Sequence, residues 1–170
     1  GPEIRAKVSA SLYSELGARH AQWFASVAEA LRPLLNGAQR QEATAALSAE
    51  RDNLRMALDW AFVADSSMAI RLAANLWWWW FHTNQWGEGR NVLERALEGS
   101  GVPDAYQAEA LCGAGALAWF QGDENHAHGR LNQAIAAART AGAGSIAYFA
   151  RIARASGSPS RTRPSTLVSR

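Results

Sequence analysis

Few residues in this 170-residue chain have the type and spacing that chemistry needs. His126 and His128 are the first to weigh as metal ligands. Two positions apart on a helix they diverge by about 200°, so they cannot chelate one ion, and the i, i+4 spacing of a helical zinc site is missing. His20 and His82 stand alone. The single cysteine, Cys112, excludes an internal disulfide and reads as a small buried hydrophobe suited to a reducing compartment. Glu50 and Asp52 lie among Arg51 and Arg55, and Arg90, Glu94, Arg95 and Glu98 cluster again. Both groups read as ion pairs along one helix surface. Asp123-Glu124 is a third carboxylate pair, and Asp123 suits a helix N-cap. No Ser/His/Asp or Cys/His set can be assembled. Gly113-Ala114-Gly115 is a lone G-x-G without the lysine and hydroxyl of a phosphate loop, and close helix packing explains it better. The sequence therefore predicts no catalytic residue, no cofactor and no metal.

The feature that stands out is Trp77-Trp78-Trp79-Trp80-Phe81. Five consecutive positions at 100° each sweep most of a helix circumference, so they cannot all face one core. Packing accounts for most of them. Leu76 and Trp80 share a stripe with Ala73, which leaves Trp78 or Trp79 as the ring expected at the surface. An exposed ring there offers a platform for a peptide, a cation or a flat ligand. Arg71, Trp78, Trp79, Gln85, Arg90 and Trp119 are the residues expected to line a partner or ligand groove. The runner-up expectation is an enclosed small-molecule pocket around Trp77 to Trp80 and Trp119.

The elements that must hold these residues are helices. β-branched residues are few and sustained two-residue alternation is absent. Apolar stripes at helical spacing recur: Trp23, Val27, Ala30, Leu31 and Leu34; Leu47, Leu54, Leu58 and Ala61; Leu93, Ala96 and Leu97. Turn and cap residues at Gly17, Asn36-Gly37, Asp65 to Ser67, Asn84, Gly99 to Pro103, Gly122-Asp123 and Gly142 to Gly144 separate them. These predict helices over 3–16, 18–35, 40–63, 67–83, 86–98, 104–121, 124–141 and 145–155, with Pro33 tightening the end of its helix and Asn84 and Asp123 as N-caps. Short connections make antiparallel neighbours.

The hairpins repeat. Leu111, Gly115, Gly122-Asp123, Ala127 and Ala134 align with Ala73, Trp77, Asn84-Gln85, Gly89 and Ala96, 38 residues earlier. This pattern resembles a tetratricopeptide repeat, departing from it at Ala118, where an aromatic is usual, and in lacking a proline near Arg139. A more specific resemblance rests on four segments in order: Arg19-His20-Ala21-x-Trp23-Phe24; Glu50 to Arg55 with Ala57-Leu58-x-Trp60-Ala61; Leu72-Ala73-x2-Leu76-Trp77; and Gly89-Arg90-x2-Leu93-Glu94-Arg95-Ala96-Leu97. Over residues 3–141 the chain looks like the helical region that follows the ATPase in actinobacterial STAND-class transcriptional regulators. The resemblance implies an all-α, right-handed α-α superhelix of tetratricopeptide-like hairpins. It implies a non-catalytic sensor or protein–protein interaction arm of a longer regulator, and carries over no ATPase residue. The resulting organisation is a lead-in helix at 1–17, three hairpins over 18–141, a capping helix at 142–155 and a disordered basic tail at 156–170.

Charge supports that division. All 15 acids lie at or before Glu124, whereas residues 144–170 hold five arginines and no acid. The arginine tail has little aromatic interleaving and no groove-reading helix, so direct nucleic-acid binding is not expected. The apolar run Met68 to Phe81 is too short to span a bilayer and contains Arg71 and Asn75. With no secretory signal at the N-terminus, the expected location is the cytoplasm. The expected partners are a protein or peptide, with a small-molecule effector as the alternative. The helix at 145–155, carrying Ile146, Tyr148, Phe149 and Ile152, is expected to fold back on the last hairpin or to mediate a homodimer.

Overall fold

The computed structural model describes residues 1–101 and 103–156, and every element among them is helical. The eight α-helices are α1 (Pro2–Leu31), α2 (Arg40–Ala49), α3 (Arg51–Ala64), α4 (Ser66–His82), α5 (Trp86–Glu98), α6 (Ala105–Phe120), α7 (Glu124–Thr140) and α8 (Gly144–Ser156). A 3₁₀ turn, Arg32–Asn36, follows α1 and contains Pro33, which tightens the helix end as the sequence predicts. The tail read as disordered falls outside the described residues from position 157 onward.

Two boundaries differ from the sequence reading. Gly17 does not separate a lead-in helix from the next one, because α1 runs through it. A Cβ at Gly17 would lie 2.3 Å from Trp60 Cδ1, so the missing side chain serves close packing between α1 and α3. The span 40–63 is instead two helices meeting at Glu50. The stripe on α1 is also rotated from expectation. Ala21, Phe24, Ala25 and Ala28 are buried, while Trp23 and Ala30 face outward.

Asn84 is not an N-cap. It takes φ +58° and closes α4, with Gln85 N donating to Trp80 O at 2.9 Å. Gly122 (φ +80°) and Gly142 (φ +68°) close α6 and α7 in the same way, through Asp123 N to Ala118 O at 3.0 Å and Ala143 N to Ala138 O at 2.8 Å. Each uses a left-handed residue to return an amide to an orphan carbonyl of the last turn. Asp123 does cap α7, its Oδ1 accepting from His126 N at 3.3 Å. Asp65 and Asp104 cap α4 and α6 likewise.

The packing has two layers. α1, α4, α6 and α8 contact one another in succession. On them, α3 packs against α1 and α4, α5 against α4 and α6, and α7 against α6 and α8. α4 and α6, in the middle of the first layer, are therefore covered on several sides. Every residue of α6 from Ala108 to Ala118 is buried, which explains its run of alanine and glycine. A Cβ on Gly113 would meet Trp77 Cγ at 2.6 Å, and one on Gly115 would meet Leu131 Cγ at 2.8 Å. Packing thus accounts for Gly113-Ala114-Gly115, and no phosphate loop is present at this position. α8 folds back on α7 and α6, burying Ala147 and Ala150 and leaving Tyr148 and Ile152 exposed.

Candidate functional site

The tryptophan run divides between two sides of α4. Trp79 and Trp80 face α2, α3 and α5. Trp79 is only 2% exposed, donates from Nε1 to Ser48 Oγ at 3.0 Å, and has the Arg51 guanidinium 5.4 Å from its ring centroid. The expectation that Trp79 offers a surface ring is therefore corrected: α2 and α3 cover it. Trp77 and Trp78 face α6 and α8 instead, stacked on each other at 4.0 Å. Trp77 is buried and Trp78 half-buried, so Trp78 is the ring of the run that reaches the surface. Of the residues expected around one aromatic pocket, Trp77, Trp78 and Trp119 share a cleft, whereas Trp79 and Trp80 serve the opposite face of α4.

Trp78 and Trp119 do come together. With Phe81, Phe120, Phe149 and Ile152 they line an apolar cleft of about 270 Å³ between α4, α6 and α8. Phe81 meets Phe120 edge-on at 4.9 Å and Trp78 at 5.6 Å, and Phe149 meets Trp78 edge-on at 5.4 Å. Phe120 is 49% and Ile152 46% exposed, which leaves apolar surface open at the rim. α8 supplies Phe149 and Ile152 to the cleft and carries Arg151 and Arg154 with no acid.

A second cavity, also about 270 Å³, opens on the other side of the Trp78–Phe149 contact. Its polar residues are Arg32, Asn36, Glu109 and Ser145, beside Trp77, Trp78, Cys112, Ile146 and Phe149. Glu109 is 8% exposed and forms an ion pair with Arg32. Trp77 Nε1 donates to Glu109 Oε1 at 2.5 Å. Burial pushes the neighbouring Cys112 thiol well up, so it stays protonated and is a poor nucleophile. Sequence reasoning missed Arg32 and Glu109. The available signal was the one acid inside the apolar run of α6, a costly place for a charge without a partner.

The remaining predicted groove residues tie helices together rather than lining one groove. Arg71 holds Glu29 of α1 in a bidentate pair at 2.6 and 2.7 Å, and Tyr106 donates to Glu29 at 2.6 Å. The Arg71 hydrogen bond holds the Glu29 carboxyl below its usual range, and the same pair raises the Arg71 guanidinium. Gln85 accepts from Arg51 at 2.6 Å. Arg90 donates to Asp123 at 2.6 Å and to Gln121 at 3.1 Å. Arg71, Gln85 and Arg90 are thus committed partners at three different helix contacts.

The ion pairs expected within single helices form between helices instead. Arg51 and Arg55 approach Glu88 of α5 at 3.9 and 3.6 Å. Glu94 accepts from Arg130 and His126 of α7. Burial tends to raise the Glu94 carboxyl, but the Arg130 and His126 hydrogen bonds outweigh it and hold it low. Packed neighbours bring the next helix's charges nearer than the i, i+4 partner. His126 and His128 meet different neighbours, His126 bonding Glu94 while His128 lies edge-on to Trp119 at 6.4 Å. Among the described residues no group of three His, Cys, Asp or Glu side chains is placed to hold a metal ion, and no helix is long and apolar enough to cross a membrane. Comparison with known proteins finds no family model, curated protein or solved structure that matches the chain.

Proposed function

We propose that this chain is a non-catalytic protein-interaction module, built from tetratricopeptide-like hairpins in a right-handed superhelix and serving a cytoplasmic, multidomain transcriptional regulator of the STAND class. The observation that carries the reading is the open cleft of Trp78, Phe81, Trp119, Phe120, Phe149 and Ile152 between α4, α6 and α8. Rigid aromatic anchors around an apolar slot are the usual energetic centre of a peptide contact. The two-layer succession of helices and the 38-residue repeat support the hairpin-stack architecture. The resemblance to the regulator family supports the biological setting.

The occupant is a peptide segment that presents aromatic or aliphatic side chains. Its apolar side chains match the cleft, while Arg151 and Arg154 lie on the other side of α8, facing α7, where Arg154 bonds Asn132. Selection from a displayed random-peptide library tests this directly. Enriched peptides should carry closely spaced bulky apolar residues. Their affinity should fall about tenfold or more in Trp119→Ala and Phe120→Ser, the loss typical of a truncated interface anchor. Peptides that bind both variants as tightly as the wild type would place the contact elsewhere and sink the reading.

A further inference from the structure

The Arg32–Glu109 cavity has features that structural packing alone does not require. Glu109 sits at the start of the buried stretch of α6, where every other residue from Ala108 to Ala118 is apolar or glycine. Burying a carboxylate there costs free energy that an apolar residue would avoid. Both of its hydrogen bonds, from Arg32 and from Trp77 Nε1, converge on Oε1. Among the described residues Oε2 has no hydrogen-bond donor. Arg32 is similarly underused: Nη2 meets Glu109, while Nε is buried without a partner. An unspent carboxylate oxygen and unspent guanidinium N–H groups therefore stand side by side at a cavity of about 270 Å³. The opposite wall is apolar, made by Trp78, Ile146 and Phe149.

The ligand that complements this arrangement carries a cation and an anion one carbon apart, next to an apolar group. We propose that the cavity binds a free α-amino acid with an apolar or aromatic side chain. The ligand carboxylate takes the remaining Arg32 donors, the natural fork for such a group. Its ammonium takes Glu109 Oε2, and its side chain lies against Trp78, Ile146 and Phe149. Because Arg32 and Glu109 already neutralise each other, a zwitterion enters without leaving net buried charge. A simple anion or cation would do so at a desolvation cost. Trp77 Nε1 fixes the Glu109 rotamer in advance, so less ordering is lost on binding. The inference goes beyond the peptide cleft and stands without it. The two spaces share Trp77, Trp78 and Phe149 as a partition, so a ligand in one sets the wall of the other.

Calorimetry and intrinsic tryptophan fluorescence on the full chain, with each common L-amino acid in turn, provide the test. Saturable binding is expected for apolar or aromatic members such as L-leucine or L-phenylalanine. N-acetyl-L-phenylalanine removes the ammonium and L-phenylalaninamide removes the carboxylate. Each should bind about tenfold or more weakly than L-phenylalanine, the loss that accompanies one unmet charged hydrogen bond. Glu109→Gln should lose binding similarly. Because that variant changes a buried ion pair, Ser145→Trp provides a second arm: it fills the mouth from an exposed position on α8 and should abolish binding with the thermal midpoint retained. No saturable change with any amino acid up to about 10 mM, the millimolar limit of weak but specific binding, would overturn the proposal. So would capped derivatives that bind equally well, or full binding by a folded Ser145→Trp.

Discussion

At the scale of single residues, two glycines inside helices should respond in opposite directions. Gly113 in α6 lies against Trp77, and a Cβ there would come within 2.6 Å of Trp77 Cγ. Trp77 is buried and hydrogen-bonded to Glu109, so it has little freedom to yield. Gly113→Ala should cost about 1–3 kcal/mol, the usual penalty of overpacking. Gly129 in α7 has nothing within 4 Å of its would-be Cβ. Gly129→Ala should gain about 0.5–1 kcal/mol by restricting the unfolded chain. Urea denaturation of both variants checks the pair, and equal signs would contradict the packing described for α6. The sequence made the small residues legible as packing devices, because phosphate-binding context was missing around them. It also made legible that the tryptophans are chiefly core. It could not tell Trp78 from Trp79, since which face is covered depends on α2 and α3 folding over it. Nor could it find the Arg32–Glu109 pair, whose members are 77 residues apart.

Elements were more legible in kind than in ending. Gly17 and Gly122 both read as breaks from the sequence, yet they act in two different ways. Gly17 sits inside α1 and only lets Trp60 approach, whereas Gly122 has φ +80° and ends α6. The physical distinction lies in the backbone angle and in what stands opposite, neither of which local sequence carries. Substitution separates the two roles. Gly122→Ala has open space around the new methyl but must hold an L residue in the left-handed region. It should therefore lose about 1 kcal/mol, through strain alone. The caps have a similar scale. Asp65 Oδ1 accepts from the amides of Ser67 and Met68 at 3.1 Å each, and the Ser67 hydroxyl and these amides hold its carboxyl low. Asp65→Ala should cost about 1 kcal/mol in thermal or urea unfolding. A neutral result would mean that water replaces the cap without loss and that packing alone fixes the start of α4.

At the scale of the whole molecule, ion pairs join separate helices. Glu29 connects α1 to Arg71 of α4 and Tyr106 of α6, and Glu94 connects α5 to Arg130 and His126 of α7. Both carboxyls are held below their ordinary value of 4.5. The direction fixes the pH behaviour. A carboxyl with a lower value in the folded state stabilises fully above its unfolded value and loses that contribution as pH falls through the folded one. The fold should therefore keep its stability from neutral pH down to about 5 and weaken below about 4.5 as these ties are protonated. Partial exposure of both sites makes the contributions small and salt-sensitive. Urea midpoints measured from pH 7 to pH 3, for the wild type and for Glu29→Gln with Glu94→Gln, isolate them. The double variant should be less stable at pH 7 and show a shallower decline below pH 4.5 than the wild type. Added salt should shrink the difference between the two. Parallel curves would mean that these ties add nothing to the coupling between helices. Burial along α4 and α6 would then hold the layers together by itself.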